Sequence, residues 1–443
     1  MTTNRMIVIS LAATLCATSA AMAQRRAIID LGTLGGAWSR PYAVNEDLVI
    51  VGSSEIDSPQ RFYRGFYWDR PNGMTPFGTL GGPQSKARCI NSAGIVVGWA
   101  ADGVNGFRPF RWEPSTGMVD LGTLGGTRGK ARWINESGQI VGFAYNPQQQ
   151  PRAFLWTESA GMISLGTLGG SSSEARCINN LGQICGVGYD AQENEHAFFY
   201  DPQLGMIDLG TFGGPRSAAY AINDAAEVVG DAGQANGPRL AFYWSPGLGA
   251  LRELPSLGGA ASLARGINNN GLIVGRAQNA NGVWRAVTWD SEGHVTDLNN
   301  SLHQSSGWLL QSAQCLNDSG YIGGIGLVNG ESHAFLLTPP LTVAGPDPGE
   351  AHRFNTWTIS GALPHSEVFF AYSLRSGTNG LPGCAGVRIL LARPKILGPL
   401  ATPAGSADVR LWVNRFASGI EILYQAIEPS SCRVSELGRY VFP

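Results

Sequence analysis

Charge is scarce in this chain. Only 14% of its 443 residues are Asp, Glu, Lys or Arg, against about 25% in a typical soluble domain. Lysine is scarcest: Lys86, Lys130 and Lys395 are the only three, so arginine carries most of the positive charge. A formal net charge of −2 excludes a globally basic nucleic-acid binder and an acidic disordered tail. After the first 25 positions no charge-free apolar run reaches the ~18 residues that a membrane-spanning helix needs. Signatures of catalysis are missing too. There is no HExxH, CxxC, GxSxG, phosphate loop or EF-hand loop, and the six histidines show no metal-ligand spacing. No cofactor or metal is expected.

What the chain has in abundance is backbone punctuation, with 60 glycines and 25 prolines. Its N-terminus is a separate matter. Met6 to Ala21 is apolar and ends in Ala21-Met22-Ala23, a small-x-small site before Gln24. Residues 1–23 therefore read as a signal peptide, and the mature protein as secreted, extracellular or periplasmic. Cleavage discards Cys16. Cys384 and Cys432, alone in the last hundred residues, are expected to form a disulfide. Closing that loop contributes about 4 kcal/mol in the chain-entropy picture. Across one hairpin, Cys177 and Cys185 offer a second pairing.

A motif, Leu-Gly-Thr-Leu-Gly-Gly, organises the middle of the chain. It begins at Leu31, Phe77, Leu121, Leu165 and Leu209, with weaker versions at Leu254 and Leu298, spaced 44 to 46 residues apart. Each period holds four short apolar runs, in the third repeat Lys130–Asn135, Gln139–Ala144, Ala153–Thr157 and Met162–Leu168. These lengths suit strands, and four strands in such a period describe one β-propeller blade. The first run ends in Asn seven times, at Asn45, Asn91, Asn135, Asn179, Asn223, Asn268 and Asn317. The fourth run follows the third only six times, and its missing copy lies at Ala27 to Leu34. The expected fold is thus all-β: a seven-bladed propeller over residues 24–340, its last blade completed by an N-terminal strand. The Asn-x-x-Gly segments read as turns with Gly at positive φ; Leu48 and Ala226 occupy that Gly slot and predict strain.

The string LGTLGG, then A-R-x-I-N-x-x-G-x-I-V-G, then A-F-x-W resembles the HAF-repeat extracellular proteins of bacteria. His196-Ala197-Phe198 and His333-Ala334-Phe335 match the tripeptide that gives the family its name. The resemblance covers residues 27 to 338 and implies an exported repeat protein with no catalytic residues to carry over. Most copies put Arg or Pro near the His slot, so the basic slot reads as scaffold beside a carboxylate. After Pro339-Pro340 the composition changes, and alternating runs over 341–443 predict a small β-sandwich.

Residues that vary between repeats point to a site. Between each Gly-Gly and the next inner strand lie Arg40, Lys86, Arg128, Lys130 and Arg216, against Glu174 alone. A basic centre within acidic outer loops would focus anions toward the axis. Arg88, Arg132, Arg176 and Arg265 share one repeat slot and read equally well as buried scaffold. These features predict a monomeric, non-enzymatic binding module for an acidic polysaccharide or a cell-envelope protein. The rival expectations are an extracellular polysaccharide lyase or glycoside hydrolase, and a purely structural surface protein. A lyase would need a base beside a neutralising arginine.

Overall fold

The computed structural model describes residues 25–104, 106–303, 306–381, 384, 387–402, 405–413, 417, 420–431 and 433–443. The expected signal peptide, residues 1–23, and Cys432 lie outside the described residues. Within them nearly every ordered segment is a β-strand, and helix is confined to short 3-10 turns. No helix among them is long and apolar enough to cross a membrane. The chain divides into two compact bodies. One comprises Ile29–Asn299 and Gly307–Leu336; the other Asn300–Ser306, Leu337–Pro443 and the residues up to Ile28.

In the repeat body each period folds as consecutive antiparallel strands. The third repeat shows the pattern with Gly129–Ile134, Ile140–Tyr145, Pro151–Thr157 and Gly161–Ser164. Alternation along the third strand buries one face. Phe154 and its equivalents Phe66, Phe110, Phe198, Phe242 and Phe335 are all 0% exposed, each worth about 2–3 kcal/mol of transfer free energy. The N-terminal strand Ile28–Asp30 pairs with Glu331–Leu337, and Leu31 donates its N–H to the Ala334 carbonyl at 3.0 Å. Gly35–Val44 then opens the first repeat.

The repeated asparagines explain how neighbouring repeats are joined. Each Asn Oδ1 accepts the N–H four residues on, as Asn179 does from Gln183 at 2.9 Å, which fixes the turn. Each Nδ2 donates to the backbone carbonyl of the next repeat's asparagine. The bonds run from Asn45 through Asn91, Asn135, Asn179, Asn223, Asn268 and Asn317, and Asn317 donates back to Asn45, at 3.0–3.3 Å. They form a circuit. A side chain that satisfies two backbone groups at once, buried, contributes about 1 kcal/mol net for each bond. In the turns Gly138 adopts φ +78°, while Leu48 and Ala226, with side chains, are held at φ +60°.

The basic slot of the third strand is scaffold in four repeats. Arg108 meets Asp120 at 2.9 Å, His196 meets Asp208 at 2.7 Å, His333 meets Asp30 at 2.9 Å and Arg285 meets Asp297 at 3.9 Å. The second disulfide is not formed: Cys177 and Cys185 are free thiols, although they face each other in register. The Cys177 thiol turns away, toward the Ile222 carbonyl of the next repeat at 3.8 Å. Cys89 and Cys315 are also free and buried, and burial pushes the Cys315 thiol up to about 12.

The C-terminal body holds two principal sheets. One contains Thr342–Asp347, Arg353–Ser360 and Ala407–Val413; the other is built on Lys395–Thr402, Ser366–Ser373 and Glu421–Glu428. Trp357, Ile359 and Val409 of the first share a core with Val368, Phe370 and Ala426 of the second. Cys384 is buried in a second cluster behind the larger sheet.

Candidate functional site

The site begins with a backbone irregularity. Every inner strand of the repeat body slips register at one common slot, between residues 41 and 43, 87 and 89, 131 and 133, 175 and 177, 219 and 221, 264 and 266, and 313 and 315. A β-bulge adds an unpaired residue and re-aims its side chain. The glycine of the I-V-G segment permits it: a Cβ on Gly98 would lie 2.0 Å from the Lys86 carbonyl. The residues skipped by the seven slips are Tyr42, Arg88, Arg132, Arg176, Tyr220, Arg265 and Gln314. All seven line one cavity of about 390 Å³.

Three further residues complete the lining: Arg40, Lys86 and Trp133. Trp133 occupies the slot that holds Ala43, Cys89, Cys177, Ala221, Gly266 and Cys315 elsewhere. It also borders a second cavity, of about 370 Å³, among the asparagine turns. A large ring in a slot of small residues therefore separates the two spaces.

Six cations, Arg40, Lys86, Arg88, Arg132, Arg176 and Arg265, surround the first cavity, and its lining contains no carboxylate. Two carboxylates lie behind the wall: Glu174 forms an ion pair with Arg132 and lies 3.9 Å from Arg176, and buried Asp231 meets the Tyr220 phenol. Arg88 and Arg265 form no ion pair among the described residues. Their guanidinium groups lie over the rings of Tyr42 and Tyr220 at 4.2 and 4.7 Å, and the Nε of each lacks a hydrogen-bond partner. Such contacts suit arginine, whose planar fork can stack and still donate.

Proton affinities register the crowding. Burial, then Arg132, brings the Arg88 guanidinium down to about 10. Burial likewise lowers Lys86 and Arg265. For Tyr42 burial works upward, but Lys86, Arg88 and Arg40 outweigh it and bring the phenol down to about 8. Glu174 is held below the ordinary carboxylate range because Arg132 and Arg176 outweigh its burial. Each shift favours less positive charge in a cavity that has too much of it, which a bound anion would also relieve.

Of the residues predicted from sequence, Arg40 and Lys86 line the cavity. Lys130 does not; it lies against Trp99 and Phe107, its Nζ 4.7 and 4.9 Å from the ring centroids. Arg128 and Arg216 are exposed and outside the lining. The bulge residues, four of them arginines read equally as scaffold, supply most of the wall. A signal for them was present: one slot, preceded by alanine in six of the seven repeats, holds Arg, Tyr or Gln in every repeat. Among the described residues no group of three or more His, Cys, Asp or Glu could hold a metal ion.

No family model matches the chain, and no curated protein matches it. Distant likeness to solved structures exists. TolB from Acinetobacter baumannii shares 10% identity at a TM-score of 0.36, over 55% of this chain and 63% of that one. A putative TolB from Agrobacterium tumefaciens shares 12% at 0.40, over 65% and 96%. A puromycin hydrolase shares 14% at 0.43, over 76% and 60%. The chain thus spans less than two thirds of the length of the Acinetobacter protein. Likeness of this degree decides neither activity nor ligand.

Proposed function

We propose that this protein is an exported, non-enzymatic binding module that takes acidic groups of a polysaccharide, most simply uronate residues, into its cationic cavity. The scaffold in this reading is a seven-bladed β-propeller of HAF-type repeats, closed by Ile28–Asp30 and followed by a β-sandwich. The observation that carries the binding reading is the cavity wall of six cations without a lining carboxylate. Guanidinium groups match carboxylate geometry through paired N–H donors, and Arg88 and Arg265 have Nε–H groups to spare. The positive charge is gathered around about 390 Å³ rather than spread along a track. That favours a sugar residue over a nucleic-acid strand.

A glycan array with the mature protein at low salt tests this. Binding to polyuronates should fall with added salt and be lost in the double variant Arg88→Gln, Arg265→Gln. The double variant Arg128→Ala, Arg216→Ala should bind as the wild type does. Equal binding by all three proteins, or no acidic ligand at low salt, overturns the reading.

One observation favours a second reading, the lyase. Tyr42, brought down to about 8, lies within the fields of Lys86 and Arg88. Its phenolate would take the C5 proton of a bound uronate, the C4–O bond would break as the C4–C5 double bond forms, and the phenol so formed would pass that proton to the leaving C4 oxygen. Ultraviolet absorbance of the unsaturated product, growing with enzyme concentration and absent in Tyr42→Phe, would establish it.

A further inference from the structure

A slot on the inner strands, two residues before the bulge residue, shows what a neighbouring space is shaped to hold. In the second repeat it carries Lys86, whose Nζ sits 5.3, 5.2 and 5.7 Å from the ring centroids of Tyr42, Tyr63 and Trp99. In the third it carries Lys130, whose Nζ sits 4.7 and 4.9 Å from Trp99 and Phe107 of the preceding repeat and 6.0 Å from Phe143. Two consecutive inter-repeat clefts are therefore filled by the chain's own ammonium groups against aromatic rings. In the fourth repeat the same slot carries Glu174, which pairs across the ladder with Val187 as Lys130 pairs with Phe143. Its carboxylate is drawn to Arg132, so it does not fill the cleft.

The cleft between the third and fourth repeats consequently stays open. It encloses about 250 Å³ and is lined by Phe143, Tyr145 and Tyr189, with Glu174 and Glu195 on its wall and Arg176 shared with the cationic cavity. The Glu195 carboxylate makes no hydrogen bond or ion pair among the described residues. It acts on Arg176, whose charge is held against burial by Glu174 first, then Tyr220 and Glu195. Aromatic faces with a carboxylate that makes no hydrogen bond are the environment that recognises an alkylammonium.

We infer that this cleft is a second subsite that binds a protonated amine of the ligand, in the position that Lys130 fills one repeat earlier. Resting on the reading of the cationic cavity, it names the ligand class more closely: a glycan in which an acidic residue adjoins a hexosamine with a free amino group. The acid occupies the cavity, Arg176 marks the boundary, and the amine reaches the aromatic cleft. An N-acetylated neighbour would lose the charge and gain bulk.

Calorimetry with the full mature chain tests the inference. The probes are a uronate monosaccharide, a uronate–glucosamine disaccharide and the N-acetylated form of that disaccharide. The free-amine disaccharide should bind about tenfold more tightly than the N-acetylated one. Glu195→Gln and, separately, Tyr189→Leu should abolish that preference while leaving uronate binding unchanged. Equal affinity of the two disaccharides, or a preference that survives both variants, overturns the subsite. If the uronate alone fails to bind, the cavity reading falls independently. In that case glucosamine against N-acetylglucosamine, read by saturation-transfer NMR on wild type and Glu195→Gln, decides the cleft: selective glucosamine binding lost in the variant upholds it, and no selectivity refutes it.

Discussion

The two ends of the repeat axis are built by the same inner strands and enclose similar space, about 390 and 370 Å³, yet they are opposite in chemistry. The turn end carries Glu46, Glu136, Asp224 and Asp318, and each carboxylate accepts a backbone N–H from the repeat before it. The bonds run from Asp318 to Glu46 at 2.7 Å, Ser92 to Glu136 at 3.1 Å, Asn180 to Asp224 at 2.9 Å and Asn269 to Asp318 at 2.8 Å. The bulge end carries cations whose donors are partly unmet. Polar groups bonded internally are scaffold; buried donors left over cost stability and are retained where a ligand can meet them. Charge alone would have marked both ends as sites, and hydrogen-bond satisfaction separates them.

The sharpest way to break that contrast is to remove one group at each end. Asn179→Ala strands the Asn223 carbonyl and the Gln183 N–H, and should cost about 3 kcal/mol in chemical denaturation while anion binding persists. A loss below about 1 kcal/mol would mean the circuit contributes little. Arg88→Met should act in the other direction. Removing a buried cation that has no ion pair should raise stability by about 1 kcal/mol, and uronate affinity should fall at least tenfold. An Arg88→Met protein that unfolds more easily would return this arginine to the scaffold.

A pH titration sharpens the bulge end further. Below the Tyr42 value of about 8 the phenol is neutral; above it a phenolate faces the anion. Lys130, brought down to about 8 by burial and Arg132, loses its charge over the same range. Uronate affinity should therefore decline as pH rises through 8, and Tyr42→Phe should weaken the decline. An affinity flat from pH 7 to 9, around that value, would show that Tyr42 does not sense the ligand. The smallest effect belongs to the turn end. Ala226→Gly relieves a side chain at φ +60° and should stabilise by about 0.5 kcal/mol, measured as a higher denaturation midpoint with unchanged binding.

Much of the scaffold was legible because the repeats state it several times over. The spacing of Asn45, Asn91 and their successors marked the first strand of every repeat, and the missing fourth run pointed to Ala27–Leu34, where Ile28–Asp30 indeed pairs with the last repeat. The strained turns at Leu48 and Ala226 followed from glycine chemistry alone. The site was less legible. Arg40 and Lys86, singled out by their position after Gly-Gly, line the cavity, but Arg128 and Arg216 occupy similar positions and lie outside its lining.

Sequence by itself determined the period, the strands, the turns and the asparagines, because these depend on local periodicity and on backbone conformations that only certain residues adopt. Tertiary structure decided where the side chains of the inner strands point. Strand alternation assigns a side chain to one face or the other, but a bulge breaks the alternation, and it depends on a carbonyl approaching the glycine of the neighbouring strand. That contact turned Arg88, Arg132, Arg176 and Arg265 from a slot in a repeat into the wall of one cavity. Likewise, only the fold showed that Lys86 and Lys130 fill their own aromatic clefts and that the cleft beside Glu174 is left open.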